Sequence, residues 1–466
     1  LRFGNCGKDC LVLSNDNSCW EKLYKADFPT GKLNTSESIH DWKLAYHLSL
    51  SGAIERLRCS HTQQNFFEDI LGSGVDYTIN PKTKCVDYIS LSQDLTSATA
   101  FSQHKIRTDV FGNKFKLFFP LYFSQDHFKR ALPQIQKTIV QLCPEKKTSR
   151  FDPLMVLEVL PKIMNTFIVL VSDEGLSASR KSFYGLLRIH HLFLALAHEF
   201  PVIKQEALKR LRRFVFREEN RLKSACPSLG NLLPLIMIVD EKDFGWPRMC
   251  SPYLDESFSR SVLWICKEYP SLERTHDSSG KVESDYEAHR RVGRSFEAMQ
   301  VSLRLLMFHV YFLRACCKGS TKSRALGYDS FFSKLDPEDI LFQDDALGAG
   351  DIGTHESADQ AKRHVSCVGL DFMHFRGQVG QIFETNTWQG FFRFIQAQSP
   401  PSKLAMARLL RQSVRSSRKK GYHKAGMDFS RVHASGTSKI LSKGQEYSAS
   451  SGLCHVEFSD VWGFDG

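Results

Sequence analysis

"RSFEAMQVSLRLLMFHVYFLRACC", residues 294–317, decides the fold class. Between Leu303 and Leu313 only Arg304 and His309 interrupt the apolar run. A helix that is apolar on most sides can be satisfied only at the centre of a bundle, where every face meets another element. Working outward, helical patterns dominate residues 125–315, among them "DHFKRALPQIQKTIVQLC" (126–143), "PLMVLEVLPKIMNTFIVLVS" (153–172), "SASRKSFYGLLRIHHLFLALAHEFP" (177–201), "IKQEALKRLRRFVFREENRLKSACP" (203–227) and "PYLDESFSRSVLWICKEYP" (252–270). Pro133, Pro144, Pro161, Gly175, Pro201, Pro227, Pro252, Pro270 and Gly319 punctuate them and are expected to separate helices. The stretches differ too much in length and sequence for a solenoid repeat. The fold class that follows is mainly α, an irregular helical bundle or array, with a small β hairpin region.

That region lies upstream. "VDYTINPKTKCVDYISL" (75–91) is two β-rich runs, Val75–Ile79 and Cys85–Leu91, joined by the turn-forming "NPKTK". "FGNKFKLFFPLYF" (111–123) reads either as another strand pair or as an aromatic connection around Pro120. The chain then divides into helices over 1–58, a β-containing segment over 59–125, the main helical domain over 126–317, a polar linker over 318–380 and a basic helical segment with a tail over 381–466. At the start, Ser18 and Glu21 form a capping box, and Trp20, Leu23 and Tyr24 share one helical face. Ser38 and Asp41 open a second such helix bearing Trp42, Ala45 and Tyr46.

The 466 residues are 42% hydrophobic, which is ample for large cores. The longest unbroken apolar runs, such as "FIVLV" (167–171) and "LFLALA" (192–197), fall far short of the roughly 20 residues that cross a bilayer, so no membrane segment is expected. Thirteen cysteines, an odd number without any C-x-x-C pair, exclude zinc ribbons and fingers and predict reduced thiols. Cys316 and Cys317 read as buried, and an intracellular location, cytoplasmic or nuclear, follows.

The residues nominate no catalytic group, cofactor or metal site. "GNCGKDC" lacks the spacing of a phosphate-binding loop, and the glycines of "GSG" (72–74) suit close backbone packing. His191, His198 and Glu199 share a helix but not zincin spacing, and read, like His309, as packed or hydrogen-bonded histidines. The formal charge of +11 favours acidic partners. Its strongest concentration is the acid-free interval between Glu384 and Asp428. There Arg408, Arg411, Arg415 and Arg418 step by three and four along one helical face, followed by Lys419 and Lys420. Such a stripe can neutralise phosphates, or dock on an acidic surface of its own chain.

"LSNDNSCWEKLYKADFP" (13–29) resembles the C-terminal end of an F-box domain and the helix that follows it, through Leu13, Ser14, Trp20, Leu23, Tyr24, Phe28 and Pro29. The Leu-Pro start and first two helices of an F-box are not in the sequence, so the resemblance implies a chain that begins partway through the domain. The later stretches "LGSGVDYTINPKTKCVDYI", "REENRLKSACPSLG" and "SLRLLMFHVYFLR" are similar to a region of large proteins of unicellular eukaryotes that also carry F-box or ubiquitin-conjugating domains. The resemblance implies a non-catalytic substrate-binding or scaffold subunit of a cullin-RING ubiquitin ligase. Trp20, Leu23 and Tyr24 would face a Skp-type adaptor, and the helical block would offer a surface to a protein substrate. A polyanion- or RNA-binding scaffold using residues 385–427 is the alternative expectation, and an unrecognised enzyme the third.

Overall fold

In the computed structural model, described residues are 16–18, 20–22, 69–80, 84–102, 107, 114–146, 150–174, 180–272, 285–332, 372–395, 400–424, 426–427 and 429. Leu23 and Tyr24, the expected second helix around Trp42, and the tail beyond residue 430 lie outside them.

The hairpin forms where its alternating residues predict it, and runs longer. β1 (Leu71–Ile79) pairs antiparallel with β2 (Val86–Ser97), Leu71 opposite Ser97 and Ile79 opposite Val86. Lys84 closes the turn at φ 62, its amide donating to the Asn80 carbonyl at 2.9 Å. The aromatic stretch contributes a single strand, β3 (Leu117–Pro120), on the other side of β1, so the sheet order is β2-β1-β3. Pro120 fits because it ends the strand and sits at an edge, where no ladder donor is needed. Gly72 and Gly74 permit the close β1–β3 approach. A Cβ on Gly72 would stand 2.3 Å from the Phe119 carbonyl oxygen, and one on Gly74 2.2 Å from the Phe115 ring.

The helices are α1 (Ala98–Ser102), α2 (Gln125–Gln141), α3 (Val156–Glu174), α4 (Arg180–Glu199), α5 (Pro201–Phe216), α6 (Leu233–Ile236), α7 (Trp246–Arg260), α8 (Val262–Glu268), α9 (Asp285–Cys316), α10 (Thr321–Phe332), α11 (Phe372–Glu384), α12 (Trp388–Ile395) and α13 (Lys403–Lys419). The protein is thus mainly helical with a small antiparallel sheet. α3 and α4 pack on each other and carry β2, while α2 lies along β3. Thr138 of α2 donates to the Phe118 carbonyl at 2.9 Å, tying helix to strand. α9 takes the central place that its all-round apolar pattern demands, against α3, α8, α11, α12 and α13. Two indoles stitch this end together: Trp388 donates to the Val292 carbonyl and Trp246 to the Ile395 carbonyl, each at 2.9 Å.

Several expectations need correction. Pro133, Pro161 and Pro252 do not separate helices but sit inside α2, α3 and α7. Each forfeits one intrahelical hydrogen bond, yet buried residues on both sides of it hold the helix against the core. Pro201 behaves as expected: it starts α5, and the chain turns by 107° from α4 to α5. The polar linker 318–380 contains α10 and the first part of α11, and one continuous apolar core runs from Val75 to Phe429 across the expected domain boundaries. α10 has little amphipathic pattern of its own and is held by outside partners. The Thr321 amide donates to the Asp240 carboxylate, Arg324 donates to the Met237 and Val239 carbonyls, and the Tyr328 hydroxyl meets His190 at 2.7 Å. At the chain start the helix cap is Asp16 rather than Ser18. Its carboxylate accepts from the Ser18 amide at 2.9 Å and the Ser18 hydroxyl at 2.8 Å. By length and composition Pro153–Ser172 could cross a membrane, contrary to the reading of its broken apolar runs; it is mostly buried inside the protein, as a core helix is.

Candidate polyanion interface

Ser402 caps α13, its hydroxyl accepting from the Ala405 amide at 3.2 Å. Met406, Ala407, Leu410, Ser413, Val414 and Ser417 form the buried face. The helix stops in a Schellman arrangement: Gly421 adopts φ 74, its amide reaches the Arg418 carbonyl at 3.0 Å, and the Tyr422 amide reaches the Ser417 carbonyl at 2.9 Å. Glycine is needed there because a side chain resists the left-handed conformation. The turn sends Lys420, Tyr422 and His423 back toward the core.

This geometry divides the expected arginine stripe. Arg408, Arg415 and Lys419 are exposed, whereas Arg411 and Arg418 are half-buried on the flank and engaged within the chain. Residues seven apart share an edge of a helix, so the four guanidinium groups form two rows rather than one. Lys420 belongs to neither. Its amine donates to Glu256 Oε2 at 2.6 Å, so this part of the stripe is a docking contact inside the protein.

Glu256 is the hub of that contact. It is 0% exposed, and its carboxylate also accepts from the Tyr422 hydroxyl at 2.6 Å and from Arg260 Nε at 2.8 Å. Burial pushes the carboxyl up, but the hydrogen bonds from Lys420, Tyr422 and Arg260 outweigh it and hold the group below its usual range. Arg260, also buried, spends its remaining donors on the Pro227, Arg221 and Cys226 carbonyls. Tyr422 in turn accepts from the Lys223 amide at 3.1 Å. Arg221 donates to the Phe214 and Val215 carbonyls at 2.8 and 2.6 Å, closing the C-terminal end of α5.

The segments that follow α5 and α13, some 200 residues apart in sequence, therefore meet. The helix within the pattern 203–227 is shorter than the pattern, since α5 ends at Phe216 and a 3-10 turn covers Glu218–Arg221. Along the end of α5 and the turn after it Arg212, Arg213, Arg217, Glu218 and Glu219 are exposed and Phe216 projects with 75% of its surface exposed; after α13, Lys424 is exposed. Sequence reasoning missed this junction because Tyr422 and Glu256 carry no pattern that pairs them. The exposed aromatic among arginines in "LRRFVFR" was the available signal.

The other candidates fall apart or turn inward. Trp20 is 3% exposed, so this chain covers its indole. His191 is buried beside Asp329 while His198 and Glu199 are exposed, and among the described residues no group of histidine, cysteine and acidic side chains could hold a metal ion. His309 is buried, and so are Cys316 and Cys317, whose thiols burial pushes up, Cys317 to about 11. Comparison of the chain with protein-family models, with curated proteins and with solved structures finds no match.

Proposed function

We propose that this chain is a non-catalytic binding scaffold that engages a polyanion, in particular single-stranded nucleic acid, through the exposed cations of α13 and of the end of α5. The observation that carries the reading is the Tyr422 contact, which joins the segment after α13 to the segment after α5; α5 carries the exposed ring of Phe216 with exposed Arg212 and Arg213, and α13 carries exposed Arg408, Arg415 and Lys419. Cations neutralise phosphates without regard to sequence, and an aromatic face stacks on any base, so the combination suits a single strand better than a duplex. Glu218 and Glu219 border the surface and limit its strength. Binding of a fluorescent single-stranded oligonucleotide, titrated against salt, tests the reading. Arg408→Gln, Arg415→Gln and Lys419→Gln together are expected to flatten the slope of log affinity against log salt by about 2 to 3, at 0.7 to 0.9 per phosphate. Phe216→Ala is expected to weaken binding roughly tenfold with the slope retained. Absence of salt-dependent binding by the parent protein would remove the proposal.

A second reading, the substrate-binding subunit of a cullin-RING ubiquitin ligase, draws support from one feature. Asn17, Ser18 and residues 20–22 are helical and Trp20 is buried, as in a linker helix docked behind an F-box. With F-box helices supplied ahead of Leu1, the chain is expected to retain a Skp-type adaptor through purification, and residues 69–466 to lose it. An adaptor retained by neither rules this reading out.

A further inference from the structure

α10 meets α4 through two consecutive histidines, each answered by one of two consecutive residues. The Tyr328 hydroxyl lies 2.7 Å from His190 Nδ1, and the Asp329 carboxylate 3.3 Å from His191 Nε2. His190 Nε2 is 3.1 Å from the Met237 carbonyl, which can only accept, so Nε2 carries the proton and Nδ1 accepts from Tyr328. The same carbonyl also accepts from Arg324 Nη1 of α10, at 2.6 Å. His190, Arg324 and Tyr328 are all buried. α10 covers two thiols as well: Tyr328 lies against that of Cys316 and Arg324 against that of Cys317, and both cysteines are buried.

Neutral His190 suits this seam and charged His190 does not. A second proton would take Nδ1, where the Tyr328 hydroxyl now donates, and would set a buried positive charge on a carbonyl that a guanidinium already uses. The carboxylates around the seam are committed: Asp329 to His191, Asp240 to Lys204 and the Thr321 amide, and Glu241 to the Gly319 amide. α9 faces the ring with Phe312, 6.2 Å away, and carries no acid after Glu297. Within α4 the neighbouring charges are Arg188 and, when protonated, His191, both of the wrong sign. Lifting α10 withdraws Arg324 and Tyr328 together and opens the ring to water. α10 gives way before the core does, because its buried residues are only Arg324, Gly327, Tyr328 and Phe332, and its hold rests on polar contacts rather than on an apolar face.

We propose that α10 is a strap released by acid: protonation of His190 detaches Thr321–Phe332 from α4 while the core stays folded, and uncovers Cys316 and Cys317. Burial, against the Met237 hydrogen bond and with the charges of Arg324 and His191, brings His190 down to about 3. Once the strap lifts, the ring returns toward its ordinary value. Docking is therefore firm above pH 6.5 and weakens as pH falls below it. His191 is the contrasting residue, since on protonation it keeps Asp329 as its partner. The device is independent of the α5–α13 surface.

Hydrogen exchange of the whole chain at pH 7, 6 and 5.5, with and without low urea, separates the strap from global unfolding. Protection factors of residues 325–332 are expected to fall about 8-fold over this range without depending on urea, while those of residues 303–313 respond to urea. Over the same range a pyridyl disulfide is expected to label Cys316 and Cys317 ahead of buried Cys143 and Cys266. His190→Gln, which does not titrate, is expected to remove the pH dependence of α10. If that variant does not fold, the His190 ring resonance of the parent decides, since it must report a neutral ring wherever α10 is docked. The strap is overturned if α10 and α9 share one protection and one urea dependence, or if all four cysteines are labelled together. A pH response that persists in His190→Gln, or a His190 ring that titrates near 6.5 with α10 still protected, overturns it equally.

Discussion

Lowering the pH from 7 to 5 is expected to cost this protein about 5 to 6 kcal/mol of stability through three buried histidines alone. His127, His190 and His309 are all buried. Burial is the largest cause in each case, and it takes them from 6.5 to about 4, about 3 and about 3. The neutral forms are built into the fold. His190 Nδ1 accepts from the Tyr328 hydroxyl at 2.7 Å while its Nε2 donates to the Met237 carbonyl at 3.1 Å, and His127 Nε2 accepts from the backbone of β1. On unfolding each histidine regains its ordinary value and takes up a proton at any pH below 6.5. Stability is therefore present above that pH and falls as pH drops toward the folded values, by about 2 kcal/mol per histidine at pH 5. A domain stabilised by the usual 5 to 15 kcal/mol would be close to unfolding there. Chemical denaturation at pH 7, 6 and 5 measures the loss. A change under 1 kcal/mol would show that these imidazoles find water or move. The carboxylates act in a lower window: Asp240, which Lys204 and the Thr321 amide hold at about 2 against the opposing effect of burial, loses its contribution only as pH falls below 3.8.

Replacing Glu256 with glutamine is expected to destabilise the protein by about 3 to 5 kcal/mol, the usual result of leaving a buried charge without its partner. The amide keeps the shape but leaves Arg260, with its side chain 2% exposed, and Lys420 uncompensated. The damage should not stay local, because the same carboxylate holds Tyr422, through which α13 meets the segment after α5. Faster amide exchange at residues 417–424 would accompany the loss in a hydrogen-exchange measurement. Changing Glu256 and Arg260 together to methionine is expected to recover only part of the stability. It removes the Arg260 charge, but it leaves Lys420 without its partner and abandons the Pro227, Arg221 and Cys226 carbonyls that Arg260 satisfies. A full recovery would mean those carbonyls find other donors.

What the sequence by itself determined is the set of elements whose periodicity exceeds local noise. Residues 294–317 announce a central helix because an all-round apolar surface has no other place, and Val75–Leu91 announces a hairpin because alternation and turn chemistry agree. The buried character of His309, Cys316 and Cys317 followed from the same pattern. Interior prolines were misleading, since their local penalty is read easily while the burial that overrides it is not. α10 was invisible because its stability comes from Asp240, Met237, Val239 and His190, groups scattered along the chain. The arginine spacing of α13 placed the charges on a helix but not in the protein. Only tertiary structure decided that Arg408, Arg415 and Lys419 face outward, that Lys420 turns to Glu256, and that Phe216 is left exposed. Periodicity is a property of neighbours in sequence. A buried ion pair, or a guanidinium without one, depends on what the fold brings from far away, and no local pattern records that.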